Sequence, residues 1–157
     1  MLTQFTEYLT FENIYIFSNF GLIPFWLMLI MIPSSKVTRF FINSIILPLV
    51  LTLAYIFIIY QAILLDEPIL DFFTIYISLN NLYTIFSSES FLLIFWLHFL
   101  ALNIFLGSWI STNGVKHNMP RSLVFFPLIL VYFTGPVGLL LYWIIRVFYA
   151  KKISLHD

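Results

Sequence analysis

Cysteine is absent from the 157-residue chain, which removes disulfides, thiol nucleophiles, iron–sulfur ligation and thiolate zinc sites together. Charge is scarce as well: 9% of residues are charged, against about 25% in an ordinary soluble domain. Seven Lys and Arg balance seven Asp and Glu, so there is no basic field to attract nucleic acid and no acidic one to attract cationic partners. Nothing calls for a metal or an organic cofactor. What remains is apolar, with 62% hydrophobic and 20% aromatic residues, more apolar surface than a soluble fold of this size can bury. Phe, Ile, Asn and Tyr are all abundant, a bias that nucleotide composition alone can produce, so a lone Asn or Tyr carries less weight here than elsewhere.

A membrane-spanning helix needs about 20 consecutive, mostly apolar residues. Four segments qualify: 14–33, 40–65, 91–112 and 122–149. The first is preceded by Glu7 and Glu12 where a signal peptide would carry bases, and no small-residue cleavage site follows, so it reads as an uncleaved span. Residues 66–90 hold four acids, no base and a short apolar stretch broken by Asn80 and Asn81, the pattern of an interfacial or re-entrant helix over about 67–86 rather than a fifth span. The expected fold is thus all-α: a polytopic four-helix transmembrane bundle forming one domain over 1–157, with that extra helix between spans two and three. Four crossings put both termini on one side. Orientation is left undecided by charge, because Lys36, Arg39, Lys116 and Arg121 fall on one side and Arg146, Lys151 and Lys152 on the other.

Prolines recur inside the spans at 24, 48, 127 and 136, each removing a backbone donor and inviting a kink. Gly135-Pro136-Val137-Gly138 is expected to break or bend the fourth span and let the third approach through Gly107. At about 100° per residue, Trp96, Asn103 and Gly107 share one face of the third span, with His98, Phe105 and Trp109 on the other. Asn19 and Trp26 stack in the first, Ser44, Pro48, Thr52 and Tyr55 form a stripe in the second, and Gly135, Gly138, Tyr142 and Arg146 make one face of the fourth. Ordinary packing through small and hydroxyl residues accounts for most of these stripes. Interfacial anchoring is the plain reading of Trp109, Tyr142 and Trp143, and snorkelling that of Arg146. His98 and Asn103 sit too deep for either, and need partners in the bundle or a polar cavity.

The stretches WLHFLALNIFLGSWI and FFPLILVYFTGPVGLLLYWIIR resemble the signature of the abscisic-acid-deficient-4-like membrane proteins of plants and bacteria. In that family the third span reads Trp-(any)-His-(aromatic)-Leu-Ala-Phe-Asp and then Gly-Arg-Trp, and the fourth carries Gly-Pro-(any)-Gly-Leu-Leu with an arginine further on. Trp96, His98, Leu100, Ala101, Gly107, Trp109, Gly135, Pro136, Gly138, Leu139, Leu140 and Arg146 match. So does an opening of Asn19, Pro24-Phe25-Trp26, Pro33 and Thr38. Two positions depart: Asn103 stands where the family has Asp, and Ser108 where it has Arg. If those form an ion pair in relatives, both partners have been lost together here, leaving no unpaired buried charge; if the Asp is a catalytic acid or base, an amide cannot replace it.

The resemblance implies a multi-pass membrane protein, on the bacterial side an inner-membrane one, acting in xanthophyll metabolism. Plant members are needed to form neoxanthin from violaxanthin, an isomerisation that opens an epoxide into an allene. It implies membrane lipid and a carotenoid or other isoprenoid as ligands. Epoxide opening needs an acid at the oxygen and a base for the departing proton. His98 is then the candidate catalytic group, with Asn103 and Tyr142 assisting, and Asn19, Trp26, Trp96, Gly107, Trp109, Gly135, Gly138 and Arg146 forming the substrate face. The rival reading is a non-catalytic carotenoid- or lipid-binding accessory subunit, working with a partner membrane protein or as a homo-oligomer, which the lack of an embedded carboxylate favours. A transporter subunit is disfavoured by the lack of an inverted repeat and of an intramembrane acid chain.

Overall fold

The computed structural model describes residues 10–44, 46–65 and 69–151. Among the described residues every regular element is helical: α1 (Phe11–Met31), α2 (Lys36–Phe41), α3 (Ile46–Leu64), a 3-10 helix (Ile69–Tyr76), α4 (Leu79–Phe86), α5 (Glu89–Lys116), α6 (Arg121–Thr134) and α7 (Pro136–Ala150). Phe11–Met31, Lys36–Leu64 and Glu89–Lys116 are long and apolar enough to cross a membrane. The helical choice follows from the solvent, since lipid offers backbone amides and carbonyls no partner and a helix satisfies them within itself. Hydroxyls follow the same logic. Thr52 donates to the Pro48 carbonyl, Thr112 to that of Ser108 and Thr134 to that of Leu130, at 2.8, 2.8 and 2.7 Å, and Ser44 donates to that of Phe40. The Ser44–Thr52 stripe therefore bonds back along its own segment and not across to a neighbour.

Two of the four prolines kink nothing. Pro48 lies in the first turn of α3 and Pro136 opens α7, positions whose amides have no helical acceptor to lose. Pro24 and Pro127 do lie inside α1 and α6.

The chain packs as two compact units, one of residues Met1–Gly21 and Pro48–Leu100, the other of Leu22–Leu47 and Ala101–Asp157. In the first unit, the Trp96 indole N–H donates to Asn19 Oδ1 at 3.1 Å, and Asn19 in turn donates to the Tyr15 carbonyl at 2.7 Å. The single helix expected over about 67–86 is instead two short ones; residues 67 and 68 lie outside the described residues. Ser78 ends the first by capping α4, accepting from the Asn81 amide at 3.2 Å, while the Asn81 side chain reaches back to the Thr74 carbonyl at 3.1 Å. Asn81 thus closes the break locally. Phe86 then packs edge-on against Phe91 and Phe95, at 5.3 and 4.9 Å between ring centres.

The second unit departs furthest from expectation. One span through 122–149, broken or bent at Gly135–Gly138, is expected; the break is there, but after ending α6 at Thr134 the chain turns at Gly135 and runs back as α7. Gly138 lies against the Val131 amide and the Pro127 carbonyl; along a straight helix Pro127 would be about 16 Å away at 1.5 Å per residue. At the open end the Tyr149 hydroxyl donates to the Asn118 carbonyl at 3.2 Å. The result is an antiparallel hairpin of 14- and 15-residue helices.

Candidate functional site at the hairpin tip

The tip is built on one residue without a side chain. Gly135 has φ 57° and ψ −88°, a conformation that glycine adopts freely and other residues do not, and a Cβ there would sit 2.6 Å from Asn103 Oδ1. Asn103, 3% exposed, fills the space beside it and donates from Nδ2 to the Tyr132 carbonyl at 3.5 Å. The last carbonyls of a helix have no partner within it, so this amide supplies a donor where α6 stops in apolar surroundings.

The outer side of the same turn is aromatic. Trp26 meets Tyr132 edge-on, with centroids 5.5 Å apart at 83°, a geometry worth about 0.5–1.5 kcal/mol beyond the area buried. Gly107 makes room for the indole, since a Cβ there would lie 2.6 Å from Trp26 Cη2. Beside the pair runs an open groove of about 250 Å³ walled by Ile23, Trp26, Leu27, Leu128, Tyr132 and Phe133 among others. Its lining holds no Asp, Glu, His, Lys or Arg.

A second buried cluster lies further along α5. The Tyr142 hydroxyl, in a residue with no exposed surface, donates to Asn113 Oδ1 at 2.8 Å, with Met119 Sδ at 3.7 Å as a weaker acceptor. Trp109 packs edge-on against the phenol at 5.7 Å. Arg146, one turn on, is also fully buried, so both side chains face protein, and neither reaches outward as an anchor or a snorkelling cation would. Loss of the phenolic hydroxyl in Tyr142→Phe should cost about 1–3 kcal/mol, since it strands a buried amide oxygen; thermal unfolding in detergent measures it, and an unchanged midpoint would mean Asn113 has another donor.

The expected site residues therefore fall into separate places. Asn103, Gly135, Trp26 and Gly107 meet at the tip. Tyr142, Trp109 and Arg146 belong to the Asn113 cluster, ten residues or about 15 Å down α5 from Asn103. Gly138 forms the hairpin contact. Asn19 and Trp96 bond to each other in the first unit, where His98 stands exposed. The expected facing of α5 holds in part: Asn103 and Gly107 are buried and His98 and Phe105 exposed, but Trp109, expected on the His98 side, packs against buried Tyr142.

Asn113 and Ser111 escaped sequence reasoning, and Ser108 and Thr38 entered it only through the family resemblance. Asn113 lies just past the expected span end, and its one signal is the i, i+4 spacing from Trp109. Ser111, 3% exposed, donates to the Leu29 carbonyl at 3.1 Å, and Ser108 donates to Asn43 Oδ1 at 2.6 Å. Thr38, fully buried, donates to the Ile32 carbonyl at 2.8 Å, and its amide is capped by Ser35 at 3.0 Å.

These features define a class: an all-helical membrane protein with three helices of spanning length and a glycine-turned hairpin whose tip is held by a buried amide. The chain belongs to the ABA DEFICIENT 4-like family, which matches residues 13–142. At the level of the family, membership ties it to carotenoid and xanthophyll metabolism. No curated protein and no solved structure matches the chain.

Proposed function

We propose that the protein binds one end of a polyene in the groove beside the hairpin tip, as part of xanthophyll metabolism. The observation that carries this reading is the wall itself: aliphatic side chains with the Trp26–Tyr132 pair and Phe133, and no ionisable group of the acid or base kind. Along α1 the groove runs from Ile23 to Ile30, about 10 Å at 1.5 Å per residue. A polyene long enough to cross the hydrocarbon core, about 30 Å, would seat an end group and a few chain carbons there and leave the rest in lipid.

A second reading, that the protein also isomerises an epoxy-carotenoid, draws on His98. Its imidazole lies on the exposed side of α5, within reach of a lipid-dissolved substrate, and its two ring nitrogens can serve as hydrogen-bond donor and acceptor. The groove supplies no such group, which favours binding without turnover.

Protein purified from carotenoid-producing cells should carry polyene, and Trp26→Ala should lose most of it. His98→Ala should leave the bound amount unchanged. Extraction and chromatography, before and after incubation with an epoxy-carotenoid, separate the readings: an allenic product abolished by His98→Ala would establish the isomerase, whose acid–base step is worth about 10²- to 10⁴-fold in rate. Full retention of polyene by a well-folded Trp26→Ala protein would move the ligand elsewhere.

A further inference from the structure

We propose that the α6–α7 hairpin is re-entrant, entering and leaving through one membrane face, and that this face rests on anionic lipid headgroups. Length is the first ground. Helices of 14 and 15 residues reach about 21 and 22 Å, short of the hydrocarbon thickness of about 30 Å. Depth is the second. The tip is pinned by Asn103, which stands midway along α5, a helix long enough to cross from Glu89 to Lys116. The turn therefore lies near mid-membrane, buried against protein, the one setting in which irregular backbone is tolerated at that depth.

Charge is the third and independent ground. In the second unit, Lys36, Arg39, Lys116, Arg121 and Lys151 are all exposed, and its described residues include no Asp or Glu. Contacts within this unit gather these cations at one end. Ser111 bonds Leu29 near the end of α1, Pro33 and Arg121 line one small cavity with Val115 and Met119, and Tyr149 bonds Asn118. The short α2 adds Val37 and Phe40, 51% and 59% exposed, beside Lys36 and Arg39, an apolar and cationic mix suited to the headgroup boundary. Four crossings would divide the seven Lys and Arg of the sequence four against three; a re-entrant hairpin puts all seven on one side. Membranes hold cationic loops on the face where anionic lipid attracts them, so the hairpin turns an undecided orientation into an unambiguous one. The termini then lie on opposite sides.

Because the chain has no cysteine, single-cysteine variants report the topology in intact membranes. Ser122→Cys and Lys151→Cys should react with an impermeant maleimide from the same face, and Ser87→Cys from the opposite one. Reaction of Lys151→Cys from the Ser87 side would overturn the proposal, as would all three reacting together. If position 151 is silent, a cleavable tag after Asp157 takes its place: digestion from the Ser122 side supports the hairpin, digestion from the other side refutes it. For the lipid, the unfolding midpoint should be higher in phosphatidylglycerol nanodiscs than in phosphatidylcholine ones, and the rise should vanish in Lys36→Gln/Arg39→Gln/Arg121→Gln. Inorganic phosphate added to phosphatidylcholine discs should not reproduce it. Equal midpoints in the two lipids, or full mimicry by free phosphate, would remove the headgroup assignment.

Discussion

Gly138→Ala is expected to leave little folded protein, although it adds a single methyl group. The Cβ would be driven into the Val131 amide and the Pro127 carbonyl, both main chain, which no rotamer change can move aside. Overpacking of this kind costs about 1–3 kcal/mol in cores that can adjust, and occasionally more; here the alternative is to part α6 from α7. The other glycines provide a graded scale. At Gly107 and Gly114 a Cβ meets the Trp26 ring at 2.6 Å and Val124 Cγ2 at 2.9 Å, side chains with some freedom to shift, so alanine there should be milder. At Gly21 nothing lies within 4 Å, and alanine should be neutral or stabilising by up to about 1 kcal/mol through helix propensity. Monodisperse yield and unfolding midpoint in detergent give the order. A Gly138→Ala protein as stable as Gly21→Ala would mean that the hairpin is not closed through that contact.

The same contact marks the limit of what could be read in advance. Periodicity placed Gly135, Gly138, Tyr142 and Arg146 on one face, and all four are buried. It could not tell a bent helix from one folded back on itself, because both hide the same stripe and both begin with Gly-Pro. The difference lies in the backbone angles of Gly135 and in what sits beside it, a nonlocal matter supplied by Asn103. Apolar length was equally silent, since the 28 residues of 122–149, uncharged but for Arg146, suit one crossing or two half-crossings. Separating the two took the contacts from Gly138 to Pro127 and from Tyr149 to Asn118. The candidate site was legible in part for the same reason. Trp26, Asn103, Gly107 and Gly135 were each singled out, but nothing local indicated that they meet one another while Tyr142 turns to Asn113. Low weight given to asparagine in an asparagine-rich chain hid Asn113 altogether.

Asn103→Asp should be strongly destabilising, even though the resemblance described above sets an aspartate at this position. The amide donates to the Tyr132 carbonyl from a site 3% exposed, and an ionised carboxylate can only accept. The substitution removes the donor and places an acceptor against a carbonyl and the Gly135 backbone. An uncompensated buried charge costs about 3–5 kcal/mol, a large share of a stability that is typically about 5–15 kcal/mol. The natural rescue to try is Ser108→Arg, the other substitution that the resemblance suggests. In this fold it should fail. Positions 103 and 108 are five residues apart on α5, hence about 140° around the helix at 100° per residue, and Ser108 is directed to Asn43. An arginine placed there points away from the hairpin tip, so the two substitutions should be additive within about 0.5 kcal/mol. A double-mutant cycle on unfolding midpoints decides it: if the double variant recovers the stability of the native chain, the pair does meet across the helix. The tip would then be set by an exchangeable ion pair, and not by the amide of Asn103 acting alone on the end of α6.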